Sequence, residues 1–148
     1  MNRTQFLIIS VAIVATLGSC QSSDKATVAL DQPQVQEISI LKLDSLNGAL
    51  VDPILLDVRS DYEWDQGHLQ GASFISYDWD DRVNWLKNLP STRPILVYCE
   101  AGGRSGVITE ELRVIGHPYI IDLVGGMEQW NENQLPVSFE DPVPLPSE

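Results

Sequence analysis

Ile95-Leu96-Val97-Tyr98-Cys99-Glu100-Ala101-Gly102-Gly103-Arg104-Ser105 is the stretch on which the fold turns. Its apolar start is short and unbroken, which suits a strand buried on both faces, as in a parallel sheet. The glycines then free the backbone from right-handed geometry. Over 104–115, Val107, Ile108, Leu112 and Ile115 supply an apolar helix face, stopped by Gly116 with Pro118 just beyond. Strand, glycine-rich loop and helix form one βα unit.

The flanking sequence repeats that grammar. Residues 54–58 form a second short apolar run fit for a buried strand. Ser60 and Glu63 then have the spacing of a capping box, and Gly67 closes the short helix it opens. A weak strand is expected over 73–76, a helix over 78–89 ended by Pro90, and a third strong strand over 119–123. Gly125-Gly126 follows as a tight backbone turn, then a short helix carrying Trp130. Alternating strands and helices predict an open α/β sheet.

The ends obey a different logic. Residues 1–19 hold one basic side chain, Arg3, and an almost unbroken apolar run over 6–17, the size of a signal-peptide core. The run closes on Leu17-Gly18-Ser19-Cys20, which resembles a bacterial lipobox and implies lipid on Cys20. A polar tether is expected over 20–36, one domain over 37–137, and a Pro-rich tail, extended or disordered, over 138–148. The formal charge of −12 argues against nucleic acid as a partner and against docking on anionic lipid through a basic patch. The expected link to membrane is the lipid itself, placing the protein at the bacterial cell envelope, facing the periplasm.

Of the chain's two cysteines, a lipidated Cys20 leaves Cys99 without an intrachain partner. Cys99 stands directly after a buried strand, where sites of open α/β sheets lie. A glycine-rich loop entering a helix can turn its N–H groups inward as an anion nest, which favours thiolate over thiol. Arg104 adds a charge able to grip an anion through two N–H bonds. A nucleophile, a positive cradle and an arginine point to attack on an anionic or electrophilic centre. A structural turn around a buried cysteine is the bland alternative.

Several motifs in fixed order narrow the choice. Leu55-Leu56-Asp57-Val58-Arg59, Tyr62-Glu63 and Gly67-His68-Leu69-Gln70-Gly71-Ala72 resemble the N-terminal signature of rhodanese-like domains. Val97-Tyr98-Cys99 with Gly102, Arg104 and Ser105 resembles their active-site loop, and Val124-Gly125-Gly126 with Trp130 and Pro136 their C-terminal signature. The resemblance implies a doubly wound, mainly parallel five-stranded sheet flanked by helices. It implies transfer of sulfane sulfur through a persulfide on Cys99, with Glu100, Ala101, Gly102, Gly103, Arg104 and Ser105 around the substrate. The span from Cys99 to Arg104 matches sulfurtransferases; cysteine phosphatases carry a longer loop. Asp57, Arg59 and His68 are expected to support the site, not to touch substrate. No cofactor or metal is implied. The expected partner is a small sulfur compound or an acceptor thiol protein; the alternative is a tethered binding or redox-thiol module without turnover. Glu100 beside the nucleophile disfavours an anionic donor such as thiosulfate if it points into the mouth.

Overall fold

The computed structural model describes residues 33–146. The expected leader, the lipidation site Cys20 and most of the expected tether lie outside the described residues. β1 (Gln34–Ser39), β2 (Ile54–Asp57), β3 (Ser73–Phe74), β4 (Ile95–Tyr98) and β5 (Tyr119–Val124) make one sheet in the order β1-β5-β4-β2-β3. Every pairing is parallel. The helices are α1 (Leu43–Ala49), entered through a 3-10 turn, α2 (Asp61–Asp65), α3 (Arg82–Lys87), α4 (Gly103–Ile115) and α5 (Gly126–Glu132). This is the doubly wound five-stranded sheet that the resemblance implied.

Two cores follow from the strand period of two. Leu55, Leu96, Tyr98, Ile121 and Leu123 point to one face, where they meet Leu43, Trp64, Met127 and Trp130. Ile54, Leu56, Ile95, Val97 and Ile120 point to the other, against Leu86 of α3 and Ile108 and Leu112 of α4. All residues of β2 and β4 are buried, which is why those runs read as unbroken apolar sequence. Burying each such side chain stabilises by about 1.5–3 kcal/mol. The sheet order reverses between β2 and β4, so the crevice expected of a doubly wound sheet opens at their carboxyl ends.

Two segments differ from the sequence expectation, and a third takes one of the two states expected of it and gains contacts. β1 begins at Gln34, inside the segment expected as tether. It is an edge strand whose first four residues are exposed, so it carries no apolar alternation to read. The expected helix over 78–89 shortens to α3, whose start at Asp81 has no side-chain cap. Residues 138–146 of the Pro-rich tail are extended and docked. His68 and Ser138 exchange both backbone hydrogen bonds, at 3.0 and 2.8 Å, Val143 N–H donates to the Ala72 carbonyl, and Leu145 packs on the α4-side core. Pro142 and Pro144 leave Val143 as the donor between them.

Candidate active site

The alternation of β4 continues one residue past its end, so Cys99 joins Ile95 and Val97 on the face covered by α4. It is 1% exposed. The Gly102 N–H donates to Cys99 Sγ at 3.1 Å, and the thiol donates to Ser105 Oγ at 3.6 Å. Ser105 Oγ donates in turn to the Gly102 carbonyl at 3.1 Å. Gly102 sits at φ 101°, the left-handed turn that drives the chain into α4. No side chain caps α4, so its first turn keeps its positive end for the nucleophile and its substrate.

The loop is oriented from behind. Met127 N–H donates to the Cys99 carbonyl at 3.0 Å, and Glu128 N–H to the Glu100 carbonyl at 2.9 Å. In a trans peptide the C=O and the following N–H point opposite ways. Fixing these carbonyls on α5 therefore turns the N–H groups of Glu100 and Ala101 away from α5, into the cradle. The approach requires glycine at 126: a Cβ there would lie 2.3 Å from both carbonyl oxygens. Sequence reading takes Gly125-Gly126 as a tight turn only; the close approach has no signal in a single sequence.

The arginine of the loop has a partner of its own. Arg104 donates through both terminal nitrogens to Glu63, at 2.6 Å and 2.5 Å. Glu63 is also the capping-box residue of α2: its Oε2 accepts from Ser60 N–H and Ser60 Oγ, and Ser60 Oγ accepts from Glu63 N–H. The Arg104 fork, with help from Ser60, holds the Glu63 carboxyl down to about 2, against the opposing effect of burial. In place of a free clamp for an anion, the loop thus presents an arginine already neutralised and pinned to α2. The capping box was legible in the sequence; the second bond of Glu63 was not, because it joins residues 41 apart.

Glu100 also turns away from the nucleophile. Its carboxylate takes Arg59 Nη1 at 3.3 Å and is about 40% exposed. Arg59 is buried and donates to both Asp57 oxygens and to the Gly67 carbonyl at 2.8 Å, tying the end of β2 to the end of α2. Removing one partner from such a buried pair costs about 3–5 kcal/mol. A cavity of about 270 Å³ opens here, lined by Arg59, Glu63, Gln66, Gly67, Glu100 and Asn131. A larger one, about 770 Å³, lies among Leu43, Trp130, Val137 and Phe139 and includes no residue of the Cys99 loop, so volume does not mark the site.

The structure gathers Cys99, Gly102 and Ser105 around one sulfur and leaves Ala101 and Gly103 exposed on the rim. His68 is set apart: it is buried, stacks on Trp64 at 3.5 Å between ring centroids, and has Nδ1 3.4 Å from the Trp64 carbonyl. Trp64 packs in the core, Trp79 edges onto Phe74, and Trp85 bonds to Asp81. One further residue escaped the sequence reading: Asp122 of β5 is 5% exposed, opposite Val97 in register. A lone acid in the apolar run 119–124 was its visible signal.

Comparison with known proteins agrees with this fold. A family model described as the rhodanese-like domain matches residues 42–133. The chain is 34% identical to thiosulfate sulfurtransferase 16, chloroplastic, of Arabidopsis thaliana, over 55% of this chain and 76% of that protein. It is 32% identical to the probable adenylyltransferase/sulfurtransferase MoeZ of Mycobacterium tuberculosis, over 55% of this chain and only 21% of that protein. It is 31% identical to a tRNA uridine(34) hydroxylase of Protochlamydia amoebophila, of which it spans 38%. Among solved structures, a rhodanese-related protein of Thermoplasma volcanium superposes with a TM-score of 0.60 at 28% identity, over 71% of this chain and 99% of that one.

Proposed function

We propose that this chain, which belongs to the rhodanese-like domain family, is a sulfurtransferase that carries sulfane sulfur on Cys99. The Cys99 thiolate attacks the outer sulfur of a donor R–S–S⁻; the donor S–S bond breaks, R–S⁻ leaves, and Cys99 becomes a persulfide. An acceptor thiolate or cyanide then attacks that outer sulfur and releases the Cys99 thiolate. Charge sits on sulfur at both stages, and the loop is built to face it. The supporting observation is the Gly102 N–H on Sγ at 3.1 Å, within a loop whose carbonyls at Cys99 and Glu100 are held outward by α5.

Donor choice follows from the pairing of charges. Arg104 is matched by Glu63, and Arg59, which lines the cavity beside Glu100, by Asp57 and Glu100, so neither cation is left unpaired to call a dianion in. A low-molecular-weight persulfide or a protein persulfide is favoured over thiosulfate as donor, and an acceptor thiol protein as partner. Turnover with a donor panel, followed as thiocyanate or as acceptor persulfide, tests this. Glutathione persulfide is expected to outpace thiosulfate, with both abolished in Cys99→Ser. Absence of turnover with every donor, with partner capture that survives Cys99→Ser, would instead identify a binding module.

The leader pattern supports anchoring through lipid on Cys20 at the cell envelope. Cys20→Ser is then expected to move the protein from the membrane to the soluble fraction.

A further inference from the structure

Sulfur transfer engages only the sulfur atoms of a donor, and the rest of the donor needs a place to lie. The cavity of about 270 Å³ walled by the end of α2, the Cys99 loop and α5 adjoins that reaction. Glu100 follows the nucleophile in the chain, so their Cα atoms are about 3.8 Å apart. Glu63, another wall, holds Arg104 of the same loop. Cys99 faces α4, whereas Glu100 faces this cavity. The space thus lies beside the reacting sulfur and not over it, where the unreacting part of a substrate contributes binding.

The charges around the cavity do not balance. Two guanidiniums, Arg59 and Arg104, meet three carboxylates, Asp57, Glu63 and Glu100. The fully buried Asp57 takes Arg59 through both oxygens, and Glu63 takes the Arg104 fork. Glu100 has a single bond, Oε2 to Arg59 Nη1 at 3.3 Å, on a guanidinium already matched. One negative charge is therefore in surplus, and the partly exposed Glu100 carries it. Its Oε1 accepts no hydrogen bond among the described residues. Gln66 from the end of α2 and Asn131 from α5 bring primary amides that make no side-chain hydrogen bond among the described residues either. A carboxylate with an open oxygen suits an ammonium group. An amide, which both donates and accepts, suits the carboxylate or carbonyl beside that ammonium.

We propose that this cavity is a subsite for the α-ammonium group of an amino-acid persulfide, with Glu100 as the residue that selects it. The outer sulfur of a donor such as cysteine persulfide meets Cys99 while its ammonium pairs with Glu100. A sulfonate or thiosulfate oxygen in the same place meets the surplus negative charge. This rests on the reading of Cys99 as the sulfur carrier and names the donor class for it.

Methanethiosulfonates that transfer an ethyl arm ending in ammonium or in sulfonate test the subsite without sulfane transfer. The ammonium arm keeps the spacing between sulfur and nitrogen found in cysteine. Rates on the full chain, mapped to Cys99 and normalised to a free small thiol, are read at about 0.15 M ionic strength, where charges beyond about 8 Å are largely screened. The ammonium-over-sulfonate ratio is expected to fall about three- to ten-fold in Glu100→Gln. It is expected to hold in Asp44→Asn, an equal change of charge on α1 at the larger cavity, which includes no residue of the loop. With sulfur donors, cysteine persulfide is expected to load Cys99 with a KM about three- to ten-fold below that of N-acetylcysteine persulfide, and Glu100→Gln to erase the difference. A ratio unmoved by Glu100→Gln, an equal fall in Asp44→Asn, or one KM for both donors would overturn the subsite and leave Cys99 the carrier. A Cys99 that reacts with the methanethiosulfonates yet takes sulfur from neither donor would overturn the sulfur-carrier reading itself.

Discussion

The junctions β4–α4 and β5–α5 use one local device for opposite ends. Each passes from strand to helix through a left-handed glycine, Gly102 at φ 101° and Gly125 at φ 93°, and neither helix has a side-chain cap. At the first junction the N–H of the N-cap residue Gly102 reaches the Cys99 sulfur. At the second, Met127 and Glu128 spend their amides on the carbonyls of the first. A Cβ at Gly103 would meet nothing within 4 Å, whereas one at Gly126 would strike two carbonyl oxygens. The geometry of a strand–glycine–helix turn therefore does not make a site. The side chain that ends the strand, and what lies behind the loop, decide whether the amides do chemistry or hold the piece that does.

The sharpest way to break the comparison is Gly126→Ala. The clash with Cys99 O and Glu100 O must move backbone, since neither atom is the end of a flexible side chain. About 3 kcal/mol or more of stability is expected to go, measured as a denaturant midpoint, and persulfide formation on Cys99 with it. Gly102→Ala is the milder counterpart: nothing obstructs its Cβ, and only the φ of 101° is unsuited to alanine. A loss of about 1–3 kcal/mol is expected, with slower alkylation of Cys99 at a retained fold. If the two variants behaved alike, the support from α5 would be no different from simple glycine strain.

Smaller effects sharpen how the first junction is charged. Glu63→Gln removes the charge that neutralises Arg104 while its amide oxygen can still accept from Ser60 N–H, for about 1 kcal/mol. Use of thiosulfate relative to glutathione persulfide should then rise several-fold, because the guanidinium that feels the Cys99 charge is no longer neutralised. The pH dependence has a definite sign. The Glu63 carboxyl is depressed from 4.5 to about 2 in the fold, so its stabilisation is complete above about pH 4.5 and is lost as pH falls toward 2. Acid unfolding of wild type should show this component in that window, and Glu63→Gln should lack it.

The βα unit around Cys99 was legible in the sequence because buried parallel strands leave continuous apolar runs, as 54–57 and 95–98 do. So was the capping box, whose bonds span three residues. Relations across the fold were not. Arg104 reads as a free cation until Glu63 is brought against it, and Gly126 reads as a turn until the Cys99 carbonyl is brought within reach. β1 stayed hidden because an edge strand with exposed side chains has no apolar period. Periodicity reports burial; it does not report partners.

The central claim is that the β4–α4 junction holds a sulfur atom on Cys99 while the β5–α5 junction holds the loop. Intact-protein mass spectrometry after treatment with glutathione persulfide, followed by peptide mapping, tests it most directly. One added sulfur is expected, mapped to Cys99 in wild type, released by cyanide, and missing from a folded Cys99→Ser. A wild-type protein that gains no sulfur, or a Cys99→Ser protein that gains the same one, would contradict the account.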